Sequence, residues 1–327
     1  MNPGPAIVFG ATGFLGPHVL RCLLRGGVAA VAASRQEPRE DLGFGAGFLE
    51  CDGMQQGAGL DRIPGSAAQS PRAVFYLSAV SSMGAASKDE SRARRLNAEW
   101  PAELAGACAA AGIPFIYTST DLVFGAEPPA NSASARYTEG DAPSPLGAYG
   151  ESKRDGEAAV LAAHPGALVV RLPLLYGDSF GRGLGAGDSL LAAVRSGTKP
   201  MLFTDELRCA MDAQDAARAL VLFGGCGGDL PEAVGGLLGD VEGRAGILHV
   251  AGAARLSRAE LGLRLLGRAG FGEQEARAAV RLGTHMDAGL EGARAKNACL
   301  DSSAARRFLA GPGLELEEDP LEPGNHA

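Results

Sequence analysis

A chain of 327 residues, 46% hydrophobic and 21% charged, has the balance of an ordinary globular protein. Its length buries a sizeable core in one large α/β unit or two modest domains. The net charge of -8 argues against a non-specific nucleic-acid binder, whose footprint would be basic. No apolar run approaches the roughly 20 residues that span a bilayer, and the first residues carry no basic segment ahead of a hydrophobic stretch. A cytoplasmic protein with neither nucleic-acid nor membrane partners is therefore expected. The six cysteines are scattered without a C-x-x-C pair or a nearby histidine at ligand spacing, so reduced core thiols and no metal are expected.

In chain order, Ala6-Ile7-Val8-Phe9 predicts a first strand, a helix follows near Phe14 to Arg25, and Val28 to Ala33 predicts a second strand. Further strands are expected at Gly47 to Cys51, Ala73 to Ser78, Pro114 to Thr118 and Ala167 to Leu172. Helices are expected at Glu90 to Ala111, closed by Gly112, and at Tyr149 to Ala163. Strands so continuously apolar belong in a parallel sheet covered on both faces. Beyond Pro173 the rhythm changes to a glycine-punctuated loop, a helix ending at Ser196 and a short apolar stretch from Pro200 to Phe203. A helix over Asp212 to Phe223, a returning strand over Gly246 to Val250 and a helix over Ser257 to Arg268 follow, the last with Ser257 and Glu260 spaced as a capping box. The expected fold class is α/β, a Rossmann-type doubly wound parallel sheet with a smaller C-terminal substrate-binding region. Residues 1–172 and 209–250 are assigned to the nucleotide-binding domain, 173–208 and 251–310 to the substrate region, and 311–327 to a disordered tail.

The run Gly10-Ala11-Thr12-Gly13-Phe14-Leu15-Gly16 joins the first strand directly to the first helix. Glycines there allow a tight turn, a close backbone approach to a pyrophosphate and close helix-strand packing. The helix N-terminus adds N–H donors and the positive end of its dipole. Gly10, Thr12, Gly13, Phe14, Leu15 and Gly16 are accordingly candidate cofactor ligands. The second strand ends in Ser34-Arg35, where an NAD enzyme usually carries an acid for the ribose hydroxyls. Arg35 would instead pair with a 2′-phosphate, so NADP(H) is preferred and NAD(H) stays admissible. Asp52, after the third strand, reaches the adenine edge or serves a turn. Ser78 and Ala79, at the end of the fourth strand, complete the candidate cofactor set.

Tyr149 and Lys153 stand four apart at the start of a predicted helix, hence on one face. With five tyrosines and four lysines in the chain, chance supplies only about 0.06 such pairs. Reducing a carbonyl with hydride needs a proton at its oxygen, and a phenol with pKa near 10 gives one up reluctantly. An adjacent ammonium favours phenolate and lowers that pKa, while its other protons reach the nicotinamide ribose. Thr120 is the candidate hydroxyl that holds the substrate oxygen, with Ser119 as its neighbouring alternative.

The run Tyr117 to Gly125, then Tyr137-Thr138-Glu139, then Ser144 to Lys153 with Gly156-Glu157, resembles the dTDP-4-dehydrorhamnose reductases of the extended short-chain dehydrogenase/reductase class. Arg171-Leu172, Tyr176-Gly177, His249-Val250 and Leu300 to Ser303 extend the resemblance over most of the chain. It implies a reduced nicotinamide as hydride donor, Tyr149 as acid, Lys153 as its tuner and Thr120 as substrate positioner. It also matches Asn97 to a helix asparagine of the cofactor site and implies Asp121, Tyr176 and Arg208 on the substrate side. Arg182, in the loop after Tyr176, is a weaker substrate-side candidate. Nucleotide-sugar dehydratases usually carry Asp-Glu after the threonine; here Asp121 precedes Leu122, which favours simple reduction. The sequence departs from the reductase pattern at Leu122, in an insertion-like stretch from Pro128 to Arg136, and at Cys209-Ala210-Met211.

Two functional readings follow. The first is a reductase of a keto group on a nucleotide-linked deoxy sugar, working alone or as a homodimer. The second is a nucleotide-binding regulatory or scaffold subunit, because the regulatory β subunits of methionine adenosyltransferase also resemble this family and keep the Tyr-Lys pair.

Overall fold

The computed structural model describes residues 4–55, 57, 59, 70–127, 136–226, 246–290, 292–311, 313, 314 and 316. Most of the expected tail, and the insertion-like stretch except Arg136, lie outside the described residues. The first half runs β1 (Ala6–Phe9), α1 (Gly16–Arg25), β2 (Ala30–Ser34), α2 (Glu40–Gly43), β3 (Gly47–Glu50), β4 (Val74–Tyr76), α3 (Met83–Lys88) and α4 (Glu90–Arg94). A π-helical turn (Arg95–Glu99) leads into α5 (Trp100–Ala111), β5 (Phe115–Thr120), a 3-10 turn (Asp121–Val123), α6 (Ala148–Ala163) and β6 (Leu168–Leu172). The second half runs β7 (Leu175–Tyr176), α7 (Ala186–Arg195), β8 (Met201–Phe203), β9 (Leu207–Arg208), β10 (Met211–Asp212) and α8 (Ala213–Phe223). It ends with β11 (Ile247–His249), β12 (Leu256–Ser257), α9 (Arg258–Arg268), α10 (Glu273–Ala278), β13 (Arg281–Gly283) and α11 (Ser303–Ala310).

Seven strands form one parallel sheet in the order β3-β2-β1-β4-β5-β6-β11. The order reverses between β1 and β4, and a doubly wound sheet opens its ligand crevice beyond the strand ends at that point. Alternate strand residues supply two cores. Val8, Phe75, Val170 and Leu248 face a layer containing Leu20, Leu23, Leu220 and Phe223 of α1 and α8. Ile7, Phe9, Val74, Tyr76, Phe115 and Tyr117 face Trp100, Leu104, Cys108 and Val160 of α5 and α6. This two-sided burial explains why the strands read as unbroken apolar runs. In the second half, β8 pairs with β13 and β9 with β12, over a small core of Leu190, Leu202, Leu266 and Val280.

The helix expected over Glu90 to Ala111 is interrupted. Pro101 has no N–H to give to the carbonyl of Asn97, and the chain widens into the π-helical turn just before it. The hydroxyl of Tyr117 donates to that carbonyl at 2.5 Å, and Tyr76 donates to Leu96 at 2.6 Å. The end expected at Gly112 is present, with that glycine at φ +65°. The capping box of α9 is also present: Ser257 N–H donates to Glu260 at 2.7 Å and Glu260 N–H to Ser257 Oγ at 3.1 Å. Among the described residues, no helix is long and apolar enough to cross a membrane, and no group of His, Cys, Asp or Glu is arranged to hold a metal.

Candidate active site

The site begins where β5 leaves the sheet. Thr120 is extended and its Oγ1 accepts the N–H of Leu122 at 3.2 Å, starting the 3-10 turn that carries Asp121. Across it, α6 presents Tyr149, Lys153 and Glu157 at successive four-residue intervals. Helix and sheet meet closely because Gly156 lacks a side chain: a Cβ there would lie 2.0 Å from Asn97 O and 2.4 Å from the Tyr117 hydroxyl. Tyr149 is hydrogen-bonded to Thr120 and lies close enough to Asp121 to feel its charge. The expected trio of Thr120, Tyr149 and Lys153 thus gathers at the end of β5.

Lys153 is 2% exposed. Its ammonium donates to Thr118 O at 2.7 Å and sits 4.0 Å above the Tyr117 ring. Burial pushes it down to about 7, against the pull of Glu157. Burial likewise pushes the Tyr149 phenol up to about 12, against the Thr120 hydrogen bond. Lys153 is not among the groups that act on Tyr149 here. The ammonium gives one proton to a backbone carbonyl and faces an aromatic ring, and desolvation of the phenolate dominates. The neutral phenol that results is the form a proton donor needs.

Below the trio lies a buried polar chain. Ser119 Oγ donates to Glu157 at 2.6 Å, and Arg171 grips the same carboxylate through Nε at 2.9 Å and Nη2 at 2.7 Å. Arg171, which is fully buried, also donates to His249 Nε2 at 3.1 Å, so His249 carries its proton on Nδ1 and gives it to Tyr137 O at 3.1 Å. Beside the trio, Asp121 is 3% exposed and its Oδ2 has no hydrogen-bond partner, with Arg208 Nε 3.6 Å away. Burial lifts its carboxyl to about 6, opposed by Arg208. Arg208 also reaches Glu206 at 3.2 Å, a carboxylate that meets His285 at 3.0 Å, Arg294 at 3.5 Å and Arg258 at 3.8 Å. Three arginines around one glutamate leave positive charge in excess.

The glycine-rich loop lies at the strand reversal. Gly10 has φ +82°, and a Cβ there would strike the backbone of Leu77 and Ser78 at 2.6–2.8 Å. A Cβ at Gly16 would lie 2.4 Å from Ala11 O. Leu15, the cap of α1, makes no side-chain bond to its first turn. A loop pressed against the end of β4, opening on uncapped helical N–H groups, fits a dinucleotide phosphate. Ser34 is buried, with Oγ donating to Gln36 O at 2.5 Å, and Arg35 is exposed at the end of β2. Asp52 Oδ1 accepts the N–H of Met54 at 3.1 Å, which is a turn role. Ala79 is exposed and Ser78 half-buried beside Gly10.

Two candidates sit elsewhere than expected. Asn97 is fully buried, its Oδ1 accepting from Val80 N at 2.9 Å and its Nδ2 donating to Ser152 Oγ at 2.9 Å. With no surface toward the crevice it pins the loop after β4 to α6 rather than meeting a cofactor. Tyr176, 2% exposed, packs with Ala210, Leu256 and Leu261 in a small core.

The family model described as "RmlD substrate binding domain" matches residues 5–312. The chain belongs to that family. Membership makes it an oxidoreductase of the extended short-chain dehydrogenase/reductase type. It is 27% identical to the probable low-salt glycan biosynthesis reductase Agl14 of Haloferax volcanii, over 96% of this chain and 95% of that one. It is 36% identical to dTDP-4-dehydrorhamnose reductase of Mycolicibacterium smegmatis over 57% of this chain and 50% of that one. A segment of 87 residues is 48% identical to methionine adenosyltransferase 2 subunit beta of Rattus norvegicus, spanning 26% of this chain and 24% of the rat protein. Among solved structures, a dTDP-4-dehydrorhamnose reductase from Clostridium acetobutylicum shares the fold with TM-score 0.72 at 20% identity, over 97% of both chains. One from Bacillus anthracis, in complex with NADP, gives 0.67 at 20% identity over 98% of both chains.

In this RmlD-family chain the Glu157–Arg171–His249 network and the Glu206 cluster were not assigned a role from the sequence. Glu157 had a signal, since it continues the four-residue spacing of Tyr149 and Lys153. The Glu206 cluster had none: its members come from positions 206, 208, 258, 285 and 294, and only the packing of β9, β12 and the segment after β13 joins them.

Proposed function

We propose that this protein reduces a keto group on a nucleotide-linked deoxy sugar with NAD(P)H. The observation that carries the reading is the Tyr149–Thr120 hydrogen bond at the end of β5, with the buried, half-satisfied Asp121 carboxyl and Arg208 beside it. Gly10, Thr12, Gly13, Phe14, Leu15 and Gly16 would hold the dinucleotide phosphates, with Ser34, Arg35, Ser78 and Ala79 around the adenosine half. Bound there, the reduced nicotinamide supplies hydride. Thr120 orients the carbonyl oxygen and Tyr149, neutral through the working pH range, gives it a proton. Lys153 holds the ribose, and Asp121 accepts from a sugar hydroxyl. The arginine excess around Glu206 suits the doubly anionic diphosphate of a nucleotide sugar. NADP(H) is favoured by Arg35 in place of an acid, and the protein is cytoplasmic.

A second reading, a nucleotide-binding regulatory subunit, is favoured by the 48% identity with the rat subunit, and weakened by its confinement to a quarter of each chain. One assay separates them: NADPH and NADH oxidation with freshly generated dTDP-4-keto-6-deoxy sugar, wild type beside Tyr149→Phe. Wild-type turnover falling at least 100-fold in the variant, with cofactor binding kept, supports the reductase. Cofactor binding without turnover favours the regulatory role.

A further inference from the structure

The loop between β7 and α7 makes contacts that the proposed chemistry does not use. It was expected on the substrate side, yet Asp178 to Gly183 lies across the start of α1. The His18 Nε2–H donates to Asp178 O at 2.8 Å. The Phe180 ring packs between His18, 5.0 Å away, and Phe44, 5.9 Å away, while Arg39 donates to its carbonyl at 3.3 Å. Phe180 has φ +55°, a conformation costly for a bulky side chain, and its N–H is held by Asp178 Oδ1 at 2.7 Å. Such strain persists only where the surroundings over-determine it.

What this strap delivers is Arg182. Its backbone N–H and Nε both donate to Ser179 O, at 3.2 and 2.9 Å, which fixes the guanidinium. Nη1 donates to the carbonyls of Thr12 at 2.6 Å and Gly13 at 3.1 Å, both in the glycine-rich loop. Nη2 is buried and has no acceptor. The charges felt at the guanidinium are Arg39, also cationic, and the acids Asp178 and Asp41, of which Asp41 is already paired with Arg39 at 2.8 Å. A desolvated N–H donor without an acceptor, fixed on a phosphate-binding loop beside a second arginine, is an anion ligand in waiting.

We propose that Arg182, presented by the Asp178–Gly183 strap, is a phosphate ligand of the dinucleotide cofactor, its guanidinium completing the anion site of the glycine-rich loop. This rests on the nicotinamide-cofactor reading above. The phosphate is either the pyrophosphate, common to both cofactors, or the 2′-phosphate carried by NADP(H) alone.

The test is a fluorescence titration of NADPH and NADH binding to wild type, Arg182→Gln and Arg182→Lys, with a melting temperature for each free protein. Arg182→Gln should weaken binding about ten- to hundredfold, the range of a charged hydrogen bond, with Arg182→Lys weakened less. Equal losses for the two cofactors assign the pyrophosphate; a loss for NADPH alone assigns the 2′-phosphate. Binding of both within twofold of wild type in Arg182→Gln overturns the inference. So does an equal loss in both variants that tracks a fall in the free protein's melting temperature, which would make Arg182 a clamp only. A wild-type protein that binds neither cofactor overturns the cofactor reading itself.

Discussion

Asp121 shows how burial sets the character of a single residue. Its carboxyl sits at about 6 instead of 3.8, because desolvation outweighs the attraction of Arg208 at 3.6 Å. A raised carboxyl pKa means the folded protein binds the proton more tightly than the unfolded chain. The associated stability is present below about pH 4 and lost as pH rises through 6. Asp121→Asn, which cannot ionise, should therefore be more stable than wild type at pH 8 by about 2–3 kcal/mol, the difference vanishing below about pH 4. Urea denaturation at the two pH values measures it, and equal midpoint shifts at both would refute the assignment. The same variant should lose substrate affinity at pH 8. Tyr149 and Lys153 obey the same rule, and their spacing alone did not reveal it: the sequence places them on one face but says nothing of how dry that face is.

At the scale of elements, α6 matters because it carries Lys153 and Glu157 one turn apart over the end of β5. Glu157 is gripped bidentately by Arg171 of β6, and it is the charge that opposes the burial of Lys153. Glu157→Gln leaves a fully buried guanidinium without its counter-charge, at a cost of about 3–5 kcal/mol. It also removes the influence that holds Lys153 up, so the alkaline limb of kcat/KM should move to lower pH. A loss of stability with an unchanged pH profile would confine Glu157 to a structural role. In the second half of the chain, Ser257→Ala removes one side of the α9 capping box and should cost about 1 kcal/mol in urea denaturation. The π-helical turn before α5 has a local cause in Pro101, but only the neighbouring strands supply the tyrosine hydroxyls that take up the released carbonyls.

For the whole molecule, the parallel sheet reverses its order beside the glycine-rich loop, the point at which a doubly wound sheet opens its ligand crevice. Ligand that binds only the folded state raises stability by about 2.7 kcal/mol at a hundredfold excess over Kd. Saturating NADPH should therefore raise the melting temperature by several degrees, and no shift at millimolar concentration would count against the dinucleotide site. The sequence by itself determined the strand-helix alternation, the loop from Gly10 to Gly16 and the Tyr149–Lys153 pair, because each is written in residues that are neighbours along one element. Periodicity and close spacing carry such features without help from the rest of the chain. Only the tertiary structure decided that Asn97 is sealed off, that Tyr176 belongs to a core, that Arg182 rests on the glycine-rich loop and that Glu206 gathers three arginines. Those outcomes depend on which distant segments meet and on how much water is excluded where they do, and burial and long-range pairing leave no local pattern to read.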